Sequence, residues 1–439
     1  VSKIKAVSAE PLKALVELEE GDWYNADLVD DTVLRLTDEA GQQGYAFVEV
    51  RPIIDRDRDD RKINLKFEVQ EGPRVYVERI EIRGNVRTLD KVIRREFKLV
   101  EGDAFNSSKL RRTKQRISNL GFFKNVEVNN LPGSRPDSTV IQVDLEEQST
   151  GELTIGAGYS TSSGALGDIG IRERNFLSKG QDMNLRLSIG QEESAGSLSF
   201  TEPYFLDKEL SAGVDAFHTI TDKQDEASFD EKRTGGGLRL GYEIADYWSQ
   251  SLRYRYVRSE ITDVASDASQ FIRAQEGVHT TSLVGQSLTY DRRNSRSRPT
   301  DGFIVSANTD VAGLGGSSKH FHPSLNGAAY YQVADDWVVS TRGRVGRIFP
   351  FDDEVEVFNR FYSSQNEFRG FENAGVGARA KDGNSDDALG GDFYWIGSAE
   401  LTFPLGLPDE FGLTGALFSD VGAVTLVDNA SNSSLIDDS

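Results

Sequence analysis

The chain of 439 residues contains no cysteine. A disulfide framework, a cysteine-ligated metal and a thiol nucleophile are therefore excluded. No run of about 18 apolar residues occurs either, so no transmembrane helix is expected. Positive charge is scarce: 50 Lys and Arg stand against 71 Asp and Glu, a formal net charge of −21. A basic surface for DNA or RNA is excluded on that balance, and no nucleic acid is expected among the partners. Phosphate-binding Walker loops and the HExxH zinc pattern are absent, so no enzyme activity and no cofactor is expected. Val1 opens inside polar sequence without a leader pattern, and the expectation is a mature fragment of a longer product.

What is present suits strands. A barrel strand needs only about 9–11 residues and shows lipid one side chain in two, so a modest apolar content does not argue against a membrane. The 42 glycines, 24 Phe and 14 Tyr fit tight turns and aromatic girdles. A secreted β-sandwich has the same totals, and composition leaves that alternative open.

The character of the chain changes near residue 150. Before it lie two copies of one pattern, at 1–73 and 74–149. In the first, Gly21-Asp22-Trp23-Tyr24-Asn25 precedes Leu28, Val29, Leu34 and Leu36, a helix stopped by Gly41-Gln42-Gln43-Gly44. Strands are expected at 45–50 and 63–69, joined by the polar run 55–60. In the second, a strand at 75–82 leads to Leu89, Val92, Ile93 and Phe97 at helical spacing, with Thr88 as the expected N-cap. Gly102-Asp103-Ala104-Phe105-Asn106 repeats the earlier Gly-Asp-x-aromatic-Asn. Leu110, Ile117 and Leu120 mark a second helix, and Gly121-Phe122-Phe123 opens a strand that ends in Val126-Glu127-Val128. A β-α-α-β-β repeat of this length is hard to obtain by chance.

From 150 to 439 the chain reads as short alternating strands. Leu153, Ile155, Ala157 and Tyr159 alternate with Glu152, Thr154, Gly156 and Gly158; Leu252, Tyr254 and Tyr256 alternate with Ser251, Arg253 and Arg255. An arginine facing lipid at mid-membrane costs about 2–4 kcal/mol, so Arg253 and Arg255 are expected to face a wet lumen. Ala245-Asp246-Tyr247-Trp248 and Ala334-Asp335-Asp336-Trp337 repeat at an offset of 89, each read as a turn followed by an interfacial Trp. Glu202-Pro203-Tyr204-Phe205 is read as another turn, and residues 221–234 and 263–277 as long extracellular loops. His320 and His322 would share one face of a strand, but no third metal ligand is evident; 381–387 is acidic but lacks the EF-hand pattern.

The N-terminal repeats resemble POTRA domains, the periplasmic modules of the BamA-like outer-membrane β-barrel assembly family. The remainder resembles that family's barrel. Gly156-x-Gly158-Tyr159-Ser160-Thr161 is similar to its first strand, and Tyr290-Asp291-x-Arg293-Asn294 with Pro299-Thr300-Asp301-Gly302 to a strand-turn-strand motif. Phe368-Arg369-Gly370-Phe371 corresponds to the motif at the tip of its sixth extracellular loop. A glycine pair usual before that motif is replaced within 363–366, which leaves the local loop conformation open.

The resemblance implies α+β POTRA repeats followed by an all-β antiparallel transmembrane barrel of about 16 strands. Residues 412–421 would be the fourteenth strand, with roughly the last two lying beyond the chain. It further implies that Arg369 meets Glu400 and Asp420 in the lumen, with Gly370 permitting close approach and Phe371 packing nearby. The strand carrying Leu153, Ile155, Ala157 and Tyr159 would form one side of a lateral gate. The implied function is folding and insertion of β-barrel clients into the bacterial outer membrane. Periplasmic POTRA edges would capture clients by β-augmentation and bind lipoproteins of the assembly complex. The sequence leaves open which edge is available. The alternative is a two-partner secretion transporter exporting one soluble client; a passive porin has no use for the repeats.

Overall fold

A computed structural model of the chain describes residues 15–16, 18, 21, 24–42, 48–57, 62–71, 75–160, 164–334, 336–351, 355–381, 386–406, 413–426 and 436–437. The motif positions 22–23, 43–47, 58–60, 335 and 382–385 lie outside the described residues. Two compact units emerge: Val1–Gly151 with Arg174–Gly180, and Glu152–Glu173 with Gln181–Ser439.

In the first unit, the helix Ala26–Gln42 packs on the antiparallel pair β1 (Val48–Asp57) and β2 (Lys62–Glu71). Val33, Leu36 and Ala40 fall on one helical face and are buried against Val48, Val50 and Val69. The next module contains β3 (Tyr76–Arg83), helices Asp90–Arg94 and Ser107–Asn119, β4 (Phe123–Pro132) and β5 (Ser138–Glu147). Its sheet order is β3-β5-β4, with β3 parallel and β4 antiparallel to the central strand. Val92, Ile93, Leu110 and Ile117 from the helices meet Val77, Ile80, Val126, Ile141 and Val143 from the sheet. The repeated Gly-Asp-x-aromatic-Asn motif has a physical reason at its last residue. Asn25 Oδ1 accepts the backbone N–H groups of Asp27 and Leu28, and Asn106 Oδ1 accepts that of Lys109 at 3.0 Å. Each Asn thus satisfies free donors at a helix start.

Two expectations change here. Thr88 does not cap the helix Asp90–Arg94: Leu89 is its N-cap residue and no side chain caps it. Instead the Thr88 N–H donates to Glu147 Oε1 at 2.7 Å, and its hydroxyl accepts from Asn175 Nδ2 at 2.9 Å. The boundary at 150 is also not a clean cut. Arg174–Gly180 belongs with the first unit because this turn bonds to it: Leu89 N–H donates to the Ser178 carbonyl at 3.0 Å. Asn175 Oδ1, accepting the Gly180 N–H at 2.7 Å, closes the turn, in which Leu177 and Ser178 take φ of 51° and 61°.

The second unit is an antiparallel meander. Its strands are β6 (Gly151–Ser160), β7 (Gly164–Phe176), β8 (Gln181–Gly190), β9 (Glu193–Glu202), β10 (Leu210–Lys223), β11 (Phe229–Ala245), β12 (Trp248–Thr262) and β13 (Gly277–Asp291). They continue as β14 (Gly302–Ala312), β15 (His320–Ala334), β16 (Trp337–Arg347), the two-residue β17 (Phe349–Pro350) and β18 (Arg379–Ala380), β19 (Phe393–Pro404), β20 (Thr414–Thr425) and β21 (Ile436–Asp437). The 14-stranded sheet runs from β6 at one edge to β20 at the other, with β17 paired to β15 off the path. Among the described residues Thr414–Thr425 is the thirteenth strand along that path, not the fourteenth, and the sheet's remaining member is the short β17.

Across the middle of the sheet, side chains sort by face. Arg186–Asp168 at 2.8 Å, Arg239–Asp215 at 2.5 Å and Arg253–Asp310 at 2.6 Å bridge strands on one face. Leu238, Tyr254, Tyr256, Val284 and Val305 are exposed on the other. Arg253 and Arg255 share the ion-paired face, as alternation predicts. Polar inside and apolar outside is the reverse of a soluble sandwich and the pattern of a transmembrane barrel. The repeated Trp turns are tight hairpins: Tyr247 and Asp336 take φ of 64° and 62°, and Trp248 and Trp337 pair with Ala245 and Ala334.

Residues 221–234 are not a long loop. β10 and β11 extend through them, joined by the short helix Gln224–Ala227. Phe229 explains this: it is buried with Ala227, Ile261, Ala268, Ile272, Val357 and Leu389, a small core made by three loops. Polar composition hid a face that tertiary packing covers. Asp387 ties the same loops together, accepting from Ser228 Oγ at 2.5 Å and from the Ser269 N–H at 2.6 Å. Residues 263–277 are a loop, carrying the one-turn helix Gln270–Arg273.

Candidate functional site

The loop between β17 and β19 returns to the polar face of the sheet and puts Arg369 on β19 and β20. Its Nε donates to Asp420 Oδ2 at 2.8 Å and its Nη2 to Asp420 Oδ1 at 2.7 Å, a two-point contact. Nη1 donates to Glu400 Oε2, and Nη2 also reaches Ser398 Oγ at 2.9 Å. The Arg369 backbone N–H donates to Asp420 as well, at 3.3 Å, so the main chain and the side chain are held by one carboxylate. Beneath the guanidinium lies the Phe418 ring, 3.6 Å from its centroid. The Asp420 side chain is only 6% exposed and Arg369 27%, so the network is partly desolvated. Neighbouring Glu367 adds an ion pair to Arg344 of β16.

Strand register builds this site. Ser398 pairs with Asp420 and Glu400 with Phe418, so four side chains from two strands converge on one face. The sequence pointed to Arg369, Glu400 and Asp420 but missed Ser398 and Phe418. Each stands two residues before a recognised carboxylate, and period-two alternation was the signal that would have found them.

One motif residue acts otherwise than expected. A Cβ on Gly370 would meet nothing within 4 Å, so close approach is not its role; φ of 98° is what requires glycine. Phe371 packs nearby as expected, its ring edge-on to Phe368 at 6.3 Å, but it is 56% exposed, whereas Phe368 is buried with Tyr394, Ile396 and Val424. The aromatic that fixes the tip is therefore the one before the arginine. Within 363–366 two serines shape the turn: Ser364 O accepts the Glu367 and Phe368 N–H groups, and Ser363 Oγ bonds to both N and O of Val376. His320 and His322 stand on β15 opposite Ala312 and Asp310 of β14.

Leu153, Ile155, Ala157 and Tyr159 line one face of β6, and the three large ones are 65%, 74% and 79% exposed. Among the described residues β6 pairs only with β7.

The three-stranded sheet β3-β5-β4 offers a second edge, and the structure says which. The outer edge of β3 is filled from within: the Val77 N–H donates to Asp103 O at 2.9 Å and Val77 O accepts from Gly102 at 2.8 Å. Ile80 N–H donates to Glu101 Oε1 at 3.0 Å, and Ile80 O accepts from Arg94 Nη2 at 3.0 Å. β4, by contrast, pairs only with β5 among the described residues, leaving its other edge open. The turn beyond it is clasped by Glu78, whose carboxylate accepts the hydroxyl of Ser138 and both the N–H and hydroxyl of Ser134. These bonds hold Glu78 down at a pKa of about 2.

Residues 4–72 and 75–148 match the POTRA family, described as a surface antigen variable number repeat. The outer membrane protein assembly factor BamA of Neorickettsia risticii is 31% identical over 98% of this chain and 58% of its own length. BamA of Nitratidesulfovibrio vulgaris is 29% identical over 87% of this chain and 49% of its own. The chain thus spans about half the length of these curated relatives. Among solved structures, BamA from Haemophilus ducreyi lacking POTRA domains 1–3 superposes with a TM-score of 0.69 at 22% identity, covering 94% of this chain and 84% of that one, a likeness of fold. Residues 175–439 match the Omp85 superfamily domain, and the chain belongs to the Omp85 superfamily.

Proposed function

We propose that the protein of which this chain is part folds β-barrel clients and inserts them into the bacterial outer membrane. It does so without covalent catalysis or a cofactor. The relatives named as outer membrane protein assembly factors support this reading over the secretion transporter, since similarity to them runs through nearly the whole chain. The observation that carries the mechanism is the open edge of β4 beside a β3 edge closed by its own loop. An extended client adds to such an edge through main-chain hydrogen bonds, with little demand on its sequence. Facing the periplasm, the POTRA modules hold clients there and dock the assembly lipoproteins. Clients then pass to β6, whose edge templates the first new strand pair. Burial of a closed barrel in lipid makes insertion downhill, so the protein need only lower barriers. Arg369 holds the sixth loop against β19 and β20 during these steps.

The test is the full-length protein reconstituted in liposomes with a urea-unfolded barrel client. Faster client folding than in protein-free liposomes is expected. Ion conductance with no acceleration would overturn the reading in favour of a pore or exporter.

A further inference from the structure

Within the large sheet, positive charge is densest at one connection. The connection from β13 to β14 reads Arg292-Arg293-Asn294-Ser295-Arg296-Ser297-Arg298, four arginines in seven residues against a net charge of −21. Two of them are engaged. Arg293 grips Asp291 through Nε at 2.9 Å and Nη2 at 2.8 Å, and Arg292 lies 5.3 Å from the Tyr247 ring centroid. Arg296 and Arg298 are exposed, with no side-chain hydrogen bond or ion pair among the described residues. The nearby carboxylate of Asp291 already belongs to Arg293.

The loop that presents them is stitched. Asn294 Oδ1 accepts the N–H groups of Thr300 and Asp301 at 3.1 and 3.2 Å, and its Nδ2 donates to Thr300 Oγ1 at 2.7 Å. Ser295 Oγ accepts the Arg298 N–H at 3.2 Å. Two guanidinium groups therefore leave one short, held arc, which reduces the ordering cost of binding an anion.

Its surroundings name the anion. Trp248 stacks near Tyr290 at 4.9 Å and Tyr290 near Phe303 at 5.6 Å, all three on the outward, apolar face. Trp248 and Phe303 are each 40% exposed. Aromatic rings gather on barrels at the membrane–water boundary. The paired strands thus set Arg296 and Arg298 at headgroup depth, where guanidinium meets phosphate in its preferred two-point geometry. An acidic protein partner has no use for the outward aromatic belt.

We propose that residues 292–298 form a binding site for the phosphate headgroup of anionic phospholipid, in the leaflet at the sheet end where the chain enters β6. The inference rests on the outer-membrane reading above but not on client folding. The experiment is native mass spectrometry of the detergent-solubilised full-length protein, titrated with phosphatidylglycerol or phosphatidylcholine of the same acyl chains. Preferential retention of phosphatidylglycerol is expected, weakened roughly fivefold for each arginine lost in Arg296→Gln and Arg298→Gln. The same charge change at Arg135→Gln, on the soluble module, should leave retention unchanged. No preference for the anionic lipid, or an equal preference in the double variant, overturns the site. So does an unchanged preference accompanied by loss of a crosslink to a periplasmic polypeptide, which assigns the loop to protein docking. A preparation that binds phosphatidylglycerol through these arginines yet folds no client refutes the proposed function and leaves this site standing.

Discussion

Arg369 makes contacts that a point charge cannot reproduce. Two nitrogens meet Asp420, a third meets Glu400, and one of them also reaches Ser398. Removing one partner of a buried ion pair costs about 3–5 kcal/mol, less here because the guanidinium keeps some water access. Arg369→Ala should release the loop to added protease and slow client folding more than it lowers barrel abundance. Arg369→Lys should rescue little, since an ammonium lacks the planar fork. Lysine behaving like wild type in both assays would show that charge alone matters. Glu78 gives a pH prediction at the same scale. Its carboxyl is held at about 2, below its ordinary value, so the bonds it accepts contribute stability above the normal glutamate range. That contribution fades as pH falls through about 2. Ser138→Ala should raise the Glu78 midpoint, followed by carboxyl carbon shifts in labelled protein. The sequence displayed the three charged members of the Arg369 site through a motif. It did not display Phe368 as the packing residue, because both flanking phenylalanines look alike until the fold buries one of them.

At the scale of elements, what was legible followed periodicity and local capping. The β-α-α-β-β order of the second module and the alternation of β12 could be read directly, because one face of each element is apolar. The helix-starting asparagines were visible as a repeat, with their hydrogen bonds supplying the reason. Thr88 misled because its partners, Glu147 and Asn175, are distant in sequence. The polar stretch 221–234 misled likewise, since Phe229 and Glu231 are buried by other loops. No sequence pattern marked the closed edge of β3, which depends on where residues 101–105 fall. Gly84 provides an element-scale test. It holds φ of 87°, and a Cβ there would come within 1.9 Å of the Leu145 carbonyl oxygen of β5. Gly84→Ala should destabilise the second module by about 1–3 kcal/mol from backbone strain alone, and by more if β5 shifts. Hydrogen exchange on β3 and β5 amides reads this out; unchanged protection would mean the strand ends relax freely.

For the whole molecule, two kinds of edge without a strand partner among the described residues matter in one chain. β4 belongs to a small three-stranded sheet, and β6 to a large sheet whose faces are polar on one side and apolar on the other. Edges of this kind are ordinarily covered or blunted, because they recruit other strands. A protein that templates strands for clients uses that property. In the proposed function β6 is the template; its large apolar side chains on one face are exposed, and Gly156 and Gly158 carry no side chain on the other. This chain has no cysteine, so a single introduced thiol reports one position within it. Ala157→Cys on β6, in the full-length protein, can be oxidised against single cysteines along the last strand of a client stalled during insertion. A disulfide at one client position, the one paired with residue 157, is the predicted result. A client that folds at the wild-type rate without crosslinking to β6 in any register would contradict templating by this edge.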